Sequence, residues 1–166
     1  MTRCGLMAAV LAICAWISLP IGSIAVSLQT LGVLLCLGLL GGKLGTASIL
    51  VYLTLGAMGA PVFTGFQGGL ATLTGPTGGY LWGFFLAGVL FCCMEKKLPL
   101  WISYVLCQLI IYITGTLWYC IAYAPGGLGL ILLQCVLPYL IPDVLKLLVA
   151  TQTVKKYGKY LFGSDK

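Results

Sequence analysis

The apolar positions of this chain run on for far longer than a soluble core element requires. Uncharged stretches cover Cys4–Gly42, Leu44–Met94 and Leu98–Pro142, which are 39, 51 and 45 residues long. A helix crossing hydrocarbon needs about 20 apolar residues, so each stretch accommodates two crossings. The pattern predicts six helices, over Arg3–Leu19, Gln29–Gly41, Leu44–Gly59, Gly78–Met94, Leu98–Tyr123 and Leu130–Val154. The second is too short to cross alone at about 1.5 Å per residue, which calls for tilt, help from flanking chain, or burial among neighbours. The expected fold class is an all-α integral membrane protein, one domain over residues 1–166.

The charges fit this count. Six crossings place both termini on one side, with the second–third and fourth–fifth connections. That side holds Arg3, Lys43, Lys96, Lys97, Lys155, Lys156, Lys159 and Lys166, eight of the nine basic residues, and the other side holds none. By the positive-inside rule the basic side is cytoplasmic. The net charge of +6 is thus explained by topology, with no need of a nucleic-acid partner. The outer connections are Pro20–Leu28, Ala60–Thr77 and Ala124–Gly129. The middle one is long, apolar and glycine-rich, with Gly68, Gly69 and Gly75 inside it and Gly78 and Gly79 just beyond. Irregular backbone at membrane depth is tolerated only when packed in protein or lining a cavity. Residues 60–77 therefore read as a lid or re-entrant segment over an outward-facing pocket, with a plain packed loop as the alternative.

Composition agrees: 61% of residues are hydrophobic, 7% are charged and the mean hydropathy is +1.11, whereas soluble domains carry about 25% charged residues. Met1–Ile13 could mimic a signal peptide, but further apolar segments follow at once and a retained first helix is expected. Histidine is absent and the eight cysteines form no Cys-x-x-Cys pair. They read as small apolar fillers, with neither a metal site nor a cofactor expected. A membrane enzyme is disfavoured, because no nucleophile, base and orienting group can be assembled.

The charges that stand out are Asp143 and Lys146, inside the hydrophobic run Leu137–Ala150. A charge at mid-membrane costs roughly 2.5–3.5 kcal/mol on insertion scales, and residues i and i+3 share a helix face. An acid and a base on one apolar face suit a polar or zwitterion-like solute; an internal pair that only joins helices is the alternative. Asp143 precedes Lys155 by about 18 Å of ideal helix, beyond the midplane toward the outside. Pro138 and Pro142 precede the pair, so the sixth helix is expected to break near Pro142, with Asp143 in the first turn beyond.

Several motifs then converge. Ser27-Leu-Gln-Thr-Leu-Gly-Val33, Tyr52-Leu-x-Leu-Gly-x-x-Gly-x-Pro-Val-Phe63 with Gly68-Gly69, Leu73-x-Gly-Pro-Thr-Gly-Gly-Tyr-Leu-x-Gly-Phe84 and Leu137-Pro-x-x-x-x-Asp-x-x-Lys146 occur in this order. Together they resemble BioY, the biotin-binding S component of energy-coupling-factor (ECF) transporters. Gly41-Gly42-Lys43 departs from a Gly-Pro-basic pattern, and Leu-Ile-Pro-Asp lacks the glycine that often precedes the aspartate. The resemblance implies a six-helix bundle in a bacterial cell membrane, a site opening outward and biotin as substrate. It also implies a membrane coupling protein (the T component) and two cytoplasmic ATPase subunits as partners. The chain's nearest approach to a phosphate loop, Gly38-Leu-Leu-Gly-Gly-Lys43, lacks the spacing and hydroxyl of a Walker site. The alternative is a carrier or channel for another small solute.

The resemblance also implies a docking stretch of small residues on the first helix, which falls on Ala8 and Ala12; internal packing is the competing reading. In the pocket, Lys146 can meet a carboxylate or the ureido oxygen, and Asp143 can accept ureido N–H groups or orient Lys146. Gln29, Thr30, Gln67, Thr77 and Tyr80, at the outer ends of their segments, would complete the polar shell. Tyr112 and Trp118 would wall the apolar ring, with Phe63, Phe66 and Trp82 as further aromatic candidates.

Overall fold

The computed structural model describes residues 2–19, 26–123 and 137–162. Its elements are α1 (Thr2–Trp16), β1 (Ser18–Leu19), β2 (Val26–Ser27), α2 (Gln29–Ala57), α3 (Leu70–Thr74), α4 (Gly78–Met94), α5 (Leu100–Ala122) and α6 (Leu137–Phe162), with a single 3-10 turn at Thr64–Phe66. α1 ends at Trp16, short of the predicted Leu19. The residue before a proline disfavours helical geometry, and ahead of Pro20 the chain turns extended instead. Ser18 pairs with Ser27 and Leu19 with Val26 in an antiparallel hairpin.

The continuous run Gln29–Ala57 is not one rod. Gly41 has φ 77° and ψ 170°, a conformation glycine adopts without steric cost. A straight helix would hold Gln29 and Tyr52 about 35 Å apart, yet Gln29 Nε2 donates to Tyr52 Oη at 2.7 Å. Near the turn, the Cys36 thiol donates to the Gly45 carbonyl at 3.6 Å. The chain therefore reverses at Gly41, and residues 29–40 and 42–57 form two antiparallel arms. Glu95 Oε2, at the end of α4, accepts the Gly42 N–H at 2.6 Å and closes the turn. A Cβ on Gly42 would lie 2.4 Å from the Cys92 backbone.

With the two arms counted separately, six long helices traverse the bundle among the described residues: α1, the arms of α2, α4, α5 and α6. The first arm is its axis. None of residues 29–40 is exposed, and Val33, Leu34, Cys36 and Leu37 are almost wholly buried. The shortness expected from sequence is resolved by burial among neighbours, since a helix apolar all round belongs inside. Tyr104 of α5 donates to the Leu34 carbonyl at 2.8 Å in this core. The second arm is buried along Gly45, Ser48, Ile49, Tyr52, Leu53 and Gly56 and exposes Leu44, Leu50, Val51 and Leu55. α5 likewise turns Trp101, Val105, Leu109, Ile113, Leu117 and Ile121 outward. Apolar side chains on the outside are what hydrocarbon solvent requires. α4 and α5 pack closely because the Gly83 position has no room for a Cβ against Thr114 Oγ1, the small-residue contact of membrane helices.

Two expectations are corrected. Ala8 and Ala12 are not a docking surface. They are 4% and 6% exposed, on the inward face of α1 with Leu11 and Ala15, where α1 packs on α2. The small residues that α1 turns outward are Gly5 and Ala9. The sixth helix is also not broken at Pro142, which lies inside a continuous α6. So close to the helix start, the lost N–H costs one bond to the Pro138 carbonyl, and the chain carries on. Of the predicted sixth segment, residues 130–136 lie outside the described residues.

Arg3, Gly41, Glu95, Leu100 and Lys155 meet at one end of the bundle, and Ser18, Ser27, Gln67, Thr77 and Tyr139 meet at the other. At the latter end, residues 58–69 form a packed cap. The Phe63 ring fills the space that a Cβ on Gly56 would take, edge-on to Tyr52 at 5.4 Å. Gly69 N–H donates to the Gly56 carbonyl at 2.7 Å. Trp16 Nε1 donates to the Pro61 carbonyl at 2.8 Å, and its ring stacks on Phe66 at 5.1 Å.

Gly42→Val is expected to destabilise the protein by about 3 kcal/mol, since the clash is with rigid backbone, and to lower the yield of monodisperse protein in detergent. Lys43→Ala, one residue on and exposed, should melt like the parent. Equal melting temperatures for both variants would contradict the tight turn.

Candidate functional site

Beneath the cap lies a cavity of about 430 Å³, within the range of small-molecule sites. Its walls come from the hairpin, the 63–67 part of the cap, Thr72 of α3, the starts of α2, α4 and α6, and the middle of α5. The apolar side is Phe63, Leu81, Phe84 and Ile111, and the polar side gathers Ser27, Thr30, Gln108, Tyr112, Tyr139, Asp143 and Lys146.

Asp143 and Lys146 are each 7% exposed. As the i,i+3 spacing requires, they meet on one face of α6, with Nζ 2.7 Å from Oδ1. The ammonium also donates to the Ser27 carbonyl at 2.7 Å and to Thr30 Oγ1 at 3.1 Å, so all three of its protons have acceptors. On the carboxylate, Oδ1 also accepts from Thr30 Oγ1 at 3.3 Å. Oδ2 accepts from Gln108 Nε2 at 2.8 Å and from the Tyr112 hydroxyl. Burial of two charges is tolerated because the lone pairs and protons are satisfied this thoroughly. The pair is therefore both an internal strut and the polar end of a cavity.

Of the residues singled out in the sequence, Asp143, Lys146, Gln29, Thr30, Gln67, Thr77, Tyr80 and Tyr112 all line this cavity. Gln29 has a second task. Its Nε2 holds Tyr52, its Oε1 accepts from Thr64 Oγ1 at 3.1 Å, and Tyr52 Oη donates to the Val62 carbonyl at 3.0 Å. The start of α2 is thereby tied to the cap. Trp118 is a correction. It is not among the residues lining the cavity; its Nε1 donates to the Gly75 carbonyl at 3.0 Å, and its Cβ occupies the space beside Gly79. It clamps α5 onto the turn before α4. Phe63 lines the cavity, whereas Phe66 and Trp82 are 63% and 48% exposed and face away.

Sequence reasoning missed Gln108, Tyr139, Thr64 and Ser27. A signal existed for two of them. Gln108 lies four residues before Tyr112, and Tyr139 four before Asp143, a spacing that shares a helix face. Among the described residues, no cluster of three or more metal-ligating side chains occurs. The polar end offers an acceptor carboxylate beside a donor ammonium, with a hydroxyl and an amide that can exchange partners. It can hold a neutral solute carrying donors and an acceptor on one edge and apolar surface behind.

Lys146→Ala is expected to cost about 3–5 kcal/mol, because it strands a buried carboxylate. The double substitution Asp143→Leu with Lys146→Leu should recover most of that loss while removing the polar end. If the double variant melts no higher than the single one, the pair is not an isolated buried unit.

The BioY family profile matches residues 1–162. The biotin transporter BioY of Thermotoga maritima is 47% identical over 96 residues, which is 57% of either chain. A probable biotin transporter BioY of Pyrococcus horikoshii is 39% identical over 141 residues, covering 85% of each. Lactococcus lactis biotin transporter BioY2 is 39% identical over 71% of this chain and 68% of its own length. The bundle superposes on the crystal structure of the S-component for biotin from an ECF-type ABC transporter with a TM-score of 0.83 at 27% identity, over 95% of this chain and 89% of that one. The profile covers nearly the whole chain, the Pyrococcus relative matches over most of its length, and the solved structure has the same helix arrangement: this protein belongs to the BioY family.

Proposed function

We propose that this chain captures biotin in the cavity beneath residues 58–69 and serves as the substrate-specific S component of an ECF-type importer. The observation that carries the reading is the Asp143–Lys146 pair at the polar end of that cavity, flanked by Gln108 and Tyr112. A cyclic urea presents N–H donors beside a carbonyl acceptor, and the pair presents an acceptor beside a donor. Exchange of the Tyr112 and Gln108 hydrogen bonds for ureido N–H groups would keep the carboxylate satisfied throughout. Phe63, Leu81, Phe84 and Ile111 would cover the sulfur-containing ring and aliphatic chain, whose burial stabilises the complex. Gln67 and Thr77 stand among the remaining polar lining residues for the carboxylate end. The chain is a transport protein and not an enzyme. A membrane coupling protein and two cytoplasmic ATPases would supply the energy.

The protein is a multi-pass protein of the cell membrane, with both termini cytoplasmic. The support is electrostatic: Arg3, Lys43, Lys96, Lys97, Lys155 and Lys156 belong to elements that end on one side of the bundle, and basic residues are retained on the cytoplasmic side. A carboxyl-terminal green fluorescent protein fusion should fluoresce in a bacterial host, and an alkaline phosphatase fusion at the same place should be inactive. The reverse pattern would invert the topology.

Equilibrium binding of labelled biotin to the purified protein in detergent tests the substrate. The folded parent should bind saturably. Asp143→Asn and Tyr112→Phe should weaken binding by roughly 10- to 100-fold, the scale of one hydrogen bond to a charged group. A monodisperse, cooperatively melting parent that does not bind biotin would sink the assignment and point to another solute.

A further inference from the structure

The cavity beneath the cap is graded in exposure. At its polar end Asp143 and Lys146 are each 7% exposed and Gln108 is 8% exposed. Gly65 and Gln67 of the cap line the same cavity and are open to solvent. A Cβ built on Gly65 meets nothing within 4 Å, so there is room at this point. The cavity therefore runs from a dry, charged end to a wet mouth at the tip of the cap. Lys146 is the single cation among the described lining residues, and it is fully committed. Its three protons go to Asp143 Oδ1, the Ser27 carbonyl and Thr30 Oγ1, and the Asp143 carboxylate cancels its charge at 2.7 Å. Arg3, Lys43, Lys96, Lys97, Lys155 and Lys156 belong to segments that meet at the opposite end of the bundle, and residues 20–25 and 124–136 contain no basic residue. At the start of α4, beside Thr77, the N–H groups of Gly78, Tyr80 and Leu81 are taken by the Gly75 and Thr77 carbonyls.

A carboxylate drawn into such a cavity would lose water and gain no counter-charge, which is unfavourable. A solute that carries one on a flexible chain binds best with its apolar part covered and the carboxylate left in water at the mouth. We propose that this site recognises the ring system of biotin and not its carboxylate, so that it also takes biotin esters and amides, including biotin joined to the side chain of lysine. Gln67 and Thr77 can donate to the carbonyl oxygen of an ester or amide as readily as to that of an acid. The inference rests on the biotin reading and extends it to a second substrate class, in which the acid is capped.

Competition against tritiated biotin on the purified protein in detergent tests this, with unlabelled biotin, its methyl ester, its primary amide and its amide with lysine as competitors. All should displace the label at concentrations within about fivefold of one another, the range left by a solvent-exposed charge. Biotin methylated on both ureido nitrogens keeps the acid but has no donor for Asp143, and should fail to displace. Capped derivatives that compete roughly tenfold or more weakly than biotin, the mark of a carboxylate paired inside the cavity, overturn the inference, as does full displacement by the methylated compound. Gln67 is exposed, so Gln67→Lys should melt like the parent. A cation at the mouth should then favour the acid over the primary amide by about two- to fivefold more than in the parent, and an unchanged ratio overturns the placing of the carboxylate there. A folded parent that binds no biotin sinks the substrate reading and this inference with it. A parent that binds biotin but rejects the capped derivatives overturns this inference alone.

Discussion

The charge pair buried in α6 is the constraint around which the capped half of this molecule is built. An acid and a base in a hydrocarbon-facing bundle survive only if every lone pair and proton is met. Meeting them draws in partners from distant parts of the chain. Ser27 comes from β2, Thr30 from the start of α2, and Gln108 and Tyr112 from α5. α6 otherwise packs mainly on α2, so the carboxylate, together with Tyr139 packed on Tyr112, Tyr119 and Cys120, ties α6 to α5. The same saturation keeps the polar end of the cavity in order, because the Asp143 carboxylate and the Lys146 ammonium have a partner for each oxygen and each proton.

The central arm of α2 solves a second problem. A helix of residues 29–40 is too short to cross a bilayer, but it does not face lipid. Its neighbours shield it on all sides, and its ends are secured by polar contacts: Gln29 to Tyr52 and Thr64 at the cap, and the Glu95 carboxylate on the Gly42 N–H at the turn. The cap over the solute cavity is thereby part of the core. Phe63 reaches down against Gly56 and Tyr52, and Trp16 holds Pro61 and Phe66 from the side. Any opening of the site to admit a solute must release some of these contacts, with Gln29 as the joint between cap and bundle.

The two ends of the bundle are chemically opposite. The cavity beneath the cap holds a buried ion pair that is balanced internally. The cavity at the opposite end has an apolar floor, with Arg3, Glu95 and Lys155 among its lining residues. This asymmetry follows from the distribution of charged residues along the chain.

The all-helical membrane fold and the placing of Asp143 and Lys146 on one helix face were legible in the sequence. Each rests on a local penalty, the cost of placing charge in hydrocarbon, that needs no knowledge of neighbours. The eight residues singled out in the sequence that line the cavity share one property: each lies toward the capped end of its segment or within a helical turn of the charge pair. What only the tertiary structure decided was which way each helix faces. Ala8 and Ala12 turn inward while Gly5 and Ala9 turn out, Trp118 clamps a turn where a cavity wall was expected, and Gln108 and Tyr139 complete the polar end. In water, periodicity separates a buried face from an exposed one. Here lipid is as apolar as the core, so both faces of a helix read alike, and only the packing of one helix against the others assigns them.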